Sequence, residues 1–114
     1  MSYTIRTIES FDRELKRLAK RYRSLKTDIL QLGKELQINP FIGKELGKGV
    51  RKIRLVIQSK GGGKSGGARV ITHTEILAGI DDGRVCLMSI YDKSEQSTIS
   101  DKEILQLLKE AGIK

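Results

Sequence analysis

Apolar residues recur every three to four positions in two successive stretches near the start of the chain. They follow a short run, residues 2–8, that reads as a strand, and they stop before Pro40. The first stripe is Phe11, Leu15, Leu18 and Tyr22, and the second is Leu25, Ile29, Leu32 and Leu36. Such spacing predicts two amphipathic helices. Ser10 and Ser24 are the predicted N-caps, so the segment forms a helical hairpin.

The second half of the chain changes to strand-like patterning. Three runs rich in β-branched residues cover residues 50–58, 68–77 and 84–91, and Asp82-Gly83 before the last run is a hairpin signal. Residues 41–49, "FIGKELGKG", read as a glycine-rich connector. A closing helix begins after Ser100, because Glu103 three residues later completes a capping box.

The order strand, two helices, three strands, helix predicts an α+β fold. Strands joined by tight turns are antiparallel, so we expect a helical hairpin packed on a small antiparallel sheet, with a short C-terminal helix. One sheet face takes the helices and the other stays solvated. The 114 residues suit a single domain spanning 1–114.

Composition narrows the class of partner. The chain has 22 Lys and Arg against 14 Asp and Glu, a formal charge of +8, which favours an anionic partner. The lone Cys86 excludes an internal disulfide and is expected to be a buried thiol in a reducing, cytoplasmic setting. No apolar run is long enough to span a bilayer, and polar residues interrupt the N-terminal stretch, so we expect neither membrane association nor a signal peptide.

The stretch "SKGGGKSGGARV", residues 59–70, contains Gly-Lys-Ser as in a P-loop. The first glycine of that motif would fall at Gln58, and a strand follows where the motif needs a helix. We therefore predict a flexible loop between two strands, carrying Lys60 and Lys64, and no bound nucleotide, metal or cofactor.

Positive charge is concentrated around this loop. Seven cations occur from Lys48 to Arg69, and no Asp or Glu occurs between Glu45 and Glu75. Strand alternation places Lys52 and Arg54 on one side, opposite the apolar positions of the same run. This predicts a polyanion-binding surface on the face away from the helices.

The segment "LGKGVRKIRLVIQSKGGGKSGGARVITH", residues 46–73, resembles the central hairpin of RelE/ParE-superfamily toxins of bacterial toxin–antitoxin modules, HigB-like members above all. The glycine-rich approach, "RKIR", the glycine–lysine loop, "GGARVI" and the late "IYDKSE" carry this resemblance. The helical hairpin and strand order extend it over nearly the whole chain. It implies a RelE/ParE-like domain that cleaves messenger RNA on the ribosome, inhibits translation, and is neutralised by a cognate antitoxin.

The resemblance also implies the site residues. Arg54 and Arg69 match the arginines of the family's sheet face, and Tyr91 and Lys93 fall where the family places late functional groups. The catalytic set is then Arg54, Arg69, Tyr91 and Lys93, and the RNA-binding set is Lys52, Lys60 and Lys64. The two arginines suit stabilisation of a phosphorane-like transition state, and we expect them exposed on adjacent strands, near one phosphate. A lysine serves as base or acid only if neighbouring cations lower its pKa.

Several alternatives stay open. Some family members use a late His or Glu as base or acid, whereas the only histidine here is His73, in mid-strand, and the late carboxylate is Glu95. Simple alternation gives Tyr91 the same side as Val85 and Leu87, which allows a core role instead. A gyrase-inhibiting relative without ribonuclease activity and a non-toxic nucleic-acid-binding module are the competing functions.

Overall fold

The computed structural model describes residues 2–77 and 82–113, which form three helices and a five-stranded mixed sheet. The elements in chain order are β1 (Ser2–Thr7), α1 (Glu9–Ala19), α2 (Leu25–Ile38), β2 (Lys44–Gly47), β3 (Val50–Leu55), β4 (Ala68–Ile76), β5 (Asp82–Asp92) and α3 (Asp101–Glu110). The α+β class, the helical hairpin and the C-terminal helix are confirmed.

The sheet is not purely antiparallel, so that part of the prediction is wrong. The strand order is β1-β5-β4-β3-β2, and β1 pairs with β5 in parallel, with Ile5 opposite Val85. Tight turns impose antiparallel pairing on β3, β4 and β5 only. Two helices separate β1 from the other strands, so no turn constrains its direction.

Strand β2 lies inside the segment predicted to be a connector. It pairs antiparallel with the outer edge of β3, with a register shift between Glu45 and Gly47. All four of its residues are exposed, so no buried face imposes the alternation that reveals a strand. The β2–β3 turn holds Lys48 at a φ of 56°, a left-handed conformation rare outside glycine.

One face of the sheet, here called the hairpin face, carries the core beneath α1 and α2. Both helices bury their predicted stripes there, and Phe11, Leu18, Leu25 and Leu36 are fully buried. Thr74 Oγ1 donates to the carbonyl of Pro40 at 2.8 Å, which fixes the end of α2 against β4. Long helices of low propensity thus gain their stability from apolar burial on this face.

Two of the three predicted caps form as expected positions, and one does not. Ser100 and Glu103 make the predicted capping box on α3. Ser24 precedes α2 but its hydroxyl bonds Asp28 and Ser59 rather than the helix N–H groups. Helix α1 begins at Glu9 with Ile8 as N-cap, because one residue separates it from β1. Ser10 instead donates its N–H and its hydroxyl to Glu110 of α3.

Helix α3 lies on the sheet face opposite the hairpin, here called the far face, so this face is not fully solvated as predicted. Arg6, on the far face of β1, donates to the carbonyl of Ala111 at 2.9 Å. Leu108 is buried, and the fully buried Ile71 and Val50 lie on the same sheet face. Asp82 and Gly83 are the first residues of β5; the turn that precedes them lies outside the described residues.

Candidate nucleic-acid interface

Three of the predicted site residues form a row across the middle of the sheet. Arg54 of β3 is directly opposite Arg69 of β4, and Arg69 is directly opposite Tyr91 of β5. Residues paired in this way share a sheet face, and neighbouring strands lie about 4.8 Å apart. The row therefore spans roughly 10 Å of the far face. The expectation that Arg54 and Arg69 occupy adjacent strands is confirmed.

An extra residue in β5 decides that Tyr91 belongs to this row. Ile71 pairs with Ser89 whereas Thr72 pairs with Leu87, so Met88 is a bulge. The bulge shifts the alternation by one residue, and Tyr91 therefore points to the face opposite Val85 and Leu87. Simple alternation, which placed Tyr91 with those core residues, is wrong here.

Arg69 is buried, with 4% of its surface exposed, and not exposed as predicted. Its Nη1 donates to the carbonyls of Lys64 at 2.9 Å and Ala68 at 3.1 Å. The guanidinium thus anchors the glycine loop while Arg54, next to it, is exposed. One arginine is held rigidly and the other is free to reach a ligand, so they are not equivalent cations.

Tyr91 is 4% exposed, and its hydroxyl has no hydrogen-bond partner among the described residues. It lines a cavity of about 420 Å³ between α1 and α3, together with Glu103. Burial raises the pKa of the Tyr91 phenol, and the charge of Arg69 only partly opposes this. The phenol therefore stays protonated near neutral pH, as a proton donor rather than a base.

Two predicted lysines lie near the row. Lys52 is partly exposed and precedes Arg54 by two residues on the same face of β3, as alternation predicted. Lys93 begins the turn after β5, and its N–H donates to the carbonyl of Gly67 at 3.1 Å, two residues before Arg69. These two lysines add positive charge at the ends of the row.

The other two lysines face elsewhere. Lys60 Nζ lies 2.9 Å from Asp92 Oδ1, above the ring of Tyr22 on the hairpin face. Its side chain is only 21% exposed, and the Asp92 hydrogen bond raises the pKa of Lys60. Lys64 is exposed on the loop and borders a cleft beside Asp28 and Gln31 of α2. The structure does not bring either lysine to the arginine row.

Asp92 is the central residue of a polar cluster that sequence reasoning missed. Its carboxylate is fully buried and accepts hydrogen bonds from Lys60, from the Tyr22 hydroxyl at 2.5 Å, and from the N–H and hydroxyl of Ser94. Burial alone would raise the pKa of Asp92, but these donors outweigh it and hold the pKa well below its usual range. The cluster ties the end of β5 to the helical hairpin and to the glycine loop. The sequence signal was an Asp directly after an apolar strand, in "IYD".

His73 and Glu95, the two alternative bases, are not placed for catalysis at the row. His73 follows Arg69 by four residues along β4, roughly 13 Å away, and pairs with Val50 and Cys86. Burial lowers the pKa of His73. Glu95 accepts hydrogen bonds from Arg17 and Arg21, and the Arg17 bond lowers the pKa of Glu95. Neither group has a free path to a phosphate held by Arg54.

The glycine loop joins β3 to β4, which confirms the strand–loop–strand prediction and excludes the strand–helix context of a P-loop. Gly67 ends the loop where the backbone passes close to β3. A Cβ on Gly67 would lie 2.0 Å from the carbonyl oxygen of Leu55, a distance that requires the backbone to move. Here glycine is needed for a close approach of chains and not for phosphate binding.

We therefore expect Gly67→Ala to lower the free energy of unfolding by about 1 to 3 kcal/mol, the usual cost of overpacking. Gly66→Ala is the matched control, since a Cβ there would meet only the Gly62 carbonyl oxygen, at 3.8 Å. Chemical denaturation of both variants checks this. Equal stability of the two would contradict the close-approach role of Gly67.

Among the described residues there is no group of three or more His, Cys, Asp or Glu side chains suited to hold a metal ion. None of the helices in that part of the chain is both long and apolar enough to cross a membrane. Compared with known proteins, the sequence matches no family model and no curated protein. Functional interpretation therefore depends on the geometry of the row and on the resemblance of the motifs.

Proposed function

We propose that the protein is a RelE/ParE-like toxin that cleaves messenger RNA on the ribosome and so inhibits translation. The observation that carries the proposal is the row of Arg54, Arg69 and Tyr91 across three adjacent strands. It puts a free cation, an anchored cation and a protonated phenol within the span of one phosphodiester and its neighbour. The net charge of +8 suits a ribosomal and RNA target.

The row suits cleavage by the neighbouring 2′-hydroxyl. Arg54 and Arg69 stabilise the charge that develops on the phosphate oxygens. Tyr91, held protonated by burial, donates a proton to the departing 5′-oxygen. Lys52 or Lys93 is the candidate base, beside cations that favour its neutral form.

A specific observation favours the second candidate, a gyrase-inhibiting relative without ribonuclease activity. Arg69 spends Nη1 on the carbonyls of Lys64 and Ala68, which is also what a purely structural arginine would do. In that reading Arg54 and Lys52 contact an acidic protein surface, and the Tyr91 hydroxyl has no chemical role.

Induction of the chain in growing bacteria tests the proposal. We expect growth to stop within minutes, with new transcript ends inside translated reading frames and none in untranslated RNA. Induction of the DNA-damage response without such ends would favour the gyrase-inhibiting alternative. Normal growth with the folded protein accumulating would contradict both and leave the non-toxic module.

The proposed partner in the cell is an antitoxin. A cationic toxin of this size is best neutralised by an acidic, partly disordered chain that folds on its surface. Co-expression of a small acidic protein encoded beside the toxin gene should restore growth and yield a stable complex on co-purification.

A further inference from the structure

A second surface of the molecule combines exposed apolar groups with positive charge. It lies between α3 and the β2–β3 turn, and we call it the α3 groove. Its apolar residues are Leu46, Val50, Ile104, Leu105, Leu108 and Ile113. Two adjoining depressions of about 320 and 720 Å³ meet at Leu105 and Leu108.

The apolar groups of the α3 groove are open to solvent to an unusual degree. Leu105 is 50% exposed and Leu46 is 39% exposed, although both flank the buried Leu108. Leu105 lies on the outer face of α3, where an isolated domain gains nothing from a leucine. Contiguous apolar patches with a polar rim are typical of interaction sites.

The rim of the α3 groove is cationic. Lys102 and Lys109 lie on the same exposed side of α3 as Leu105, because residues three, four and seven apart share a helix face. Lys48 borders both depressions from the opposite side. Its left-handed backbone, between Gly47 and Gly49, keeps this lysine at the tip of the turn. Asp101 is the acidic residue among the lining groups.

This combination selects among possible occupants. An apolar floor does not suit the phosphates of RNA, which need charge and hydrogen-bond donors. A second copy of the chain would bring its own lysines against these lysines. An acidic amphipathic segment satisfies both features, since its apolar side covers Leu46 and Leu105 while its carboxylates meet the three lysines.

We propose that the α3 groove binds an acidic amphipathic helix of a partner protein. Lys102 and Lys109 are seven residues apart, which is about 10.5 Å along α3. The partner helix therefore presents carboxylates at i and i+7, with leucine or isoleucine between them. This site is separate from the arginine row, so its occupant and the RNA substrate bind different groups.

The test uses the full chain and a defined peptide. A blocked 16-residue helical peptide carries Glu at i and i+7 and Leu at i+3 and i+4, and a scrambled peptide of the same composition serves as its control. We expect methyl NMR shifts at Leu46, Leu105, Leu108 and Ile113 with the first peptide only. Shifts elsewhere, no binding, or equal binding of the scrambled peptide would overturn the proposal.

Variants separate the groove from general charge attraction. Leu105→Glu should weaken peptide binding at least tenfold, as expected for a central anchor residue. Lys102→Glu with Lys109→Glu should do likewise, whereas the matched pair Lys16→Glu with Lys20→Glu, on α1, should not. Equal weakening by both charge pairs would refute the groove.

The same experiment keeps this proposal distinct from ribonuclease activity. Arg54→Ala should leave peptide binding unchanged, and Leu105→Glu should leave RNA cleavage unchanged. Binding of anionic lipid vesicles through Leu105 without binding of the peptide would assign the surface to a membrane and overturn the proposal. Concentration-dependent dimerisation through the same leucines would overturn it as well.

Discussion

Arg54→Ala is expected to lower the rate of RNA cleavage about a hundredfold or more while leaving thermal unfolding unchanged. The effect on rate follows from the loss of one preorganised charge at the transition state. Stability should survive because Arg54 is exposed and is in no ion pair within the described part of the chain. Ribosome-dependent cleavage of a defined message, measured by primer extension, gives the rate.

Arg23→Ala is the matched control for that experiment. Arg23 is exposed in the turn between α1 and α2, so this variant loses the same charge away from the arginine row. We expect its cleavage rate to change by less than about threefold, because many cations share general attraction to RNA. If Arg54→Ala is fully active while folded, the site assignment is wrong.

Arg69 needs a different design because it is buried. Arg69→Ala removes hydrogen bonds to two backbone carbonyls, so we expect both activity and stability to fall, the latter by about 1.5 to 3 kcal/mol. Arg69→Lys keeps the charge and fills most of the space. A folded Arg69→Lys variant that retains full activity would assign Arg69 to loop anchoring and leave catalysis to Arg54 and Tyr91.

Patterning in the sequence predicts most of the elements because one face of each is buried. The stripes of α1 and α2 and the alternation in β3 come from that constraint, and the structure confirms them. Where burial is absent, the signal is absent too. Strand β2 is exposed throughout and was therefore read as a connector.

The candidate site was predictable only in part. Strand pairing brings Arg54 and Arg69 together, as expected from a hairpin, but the position of Tyr91 depends on the bulge at Met88. A bulge adds one residue without changing composition, so alternation alone gives the wrong face. The parallel pairing of β1 and the burial of Arg69 are tertiary facts for the same reason, since no local pattern encodes them.

Lys60 shows why a charge count along the chain does not give a surface. It belongs to the cationic stretch in sequence, yet Asp92, 32 residues later, neutralises it on the hairpin face. Long-range pairing of this kind leaves no trace in a window of the sequence. The cationic surface is therefore smaller than the sequence indicated, and Arg54 and Lys52 dominate it.

Asp92→Asn is expected to lower the free energy of unfolding by about 3 kcal/mol at neutral pH. It leaves the charge of Lys60 without its partner, in a site where that side chain is only 21% exposed. Glu95→Gln is the control, because its arginine partners are about half exposed and such surface pairs contribute under about 1 kcal/mol. Equal effects of the two variants, in urea titrations, would contradict the central role of Asp92.

The pH dependence of the same two proteins gives an independent check on Asp92. Its folded pKa is depressed, so its contribution to stability is present above the unfolded value of about 3.9 and is lost as the pH falls through the lower folded value. Wild type should therefore lose stability steeply below about pH 4, while Asp92→Asn, which has no carboxyl to protonate, should lose less. The two stability curves should converge in acid. Parallel curves would show that the hydrogen bonds of Asp92, and not its charge, stabilise the end of β5.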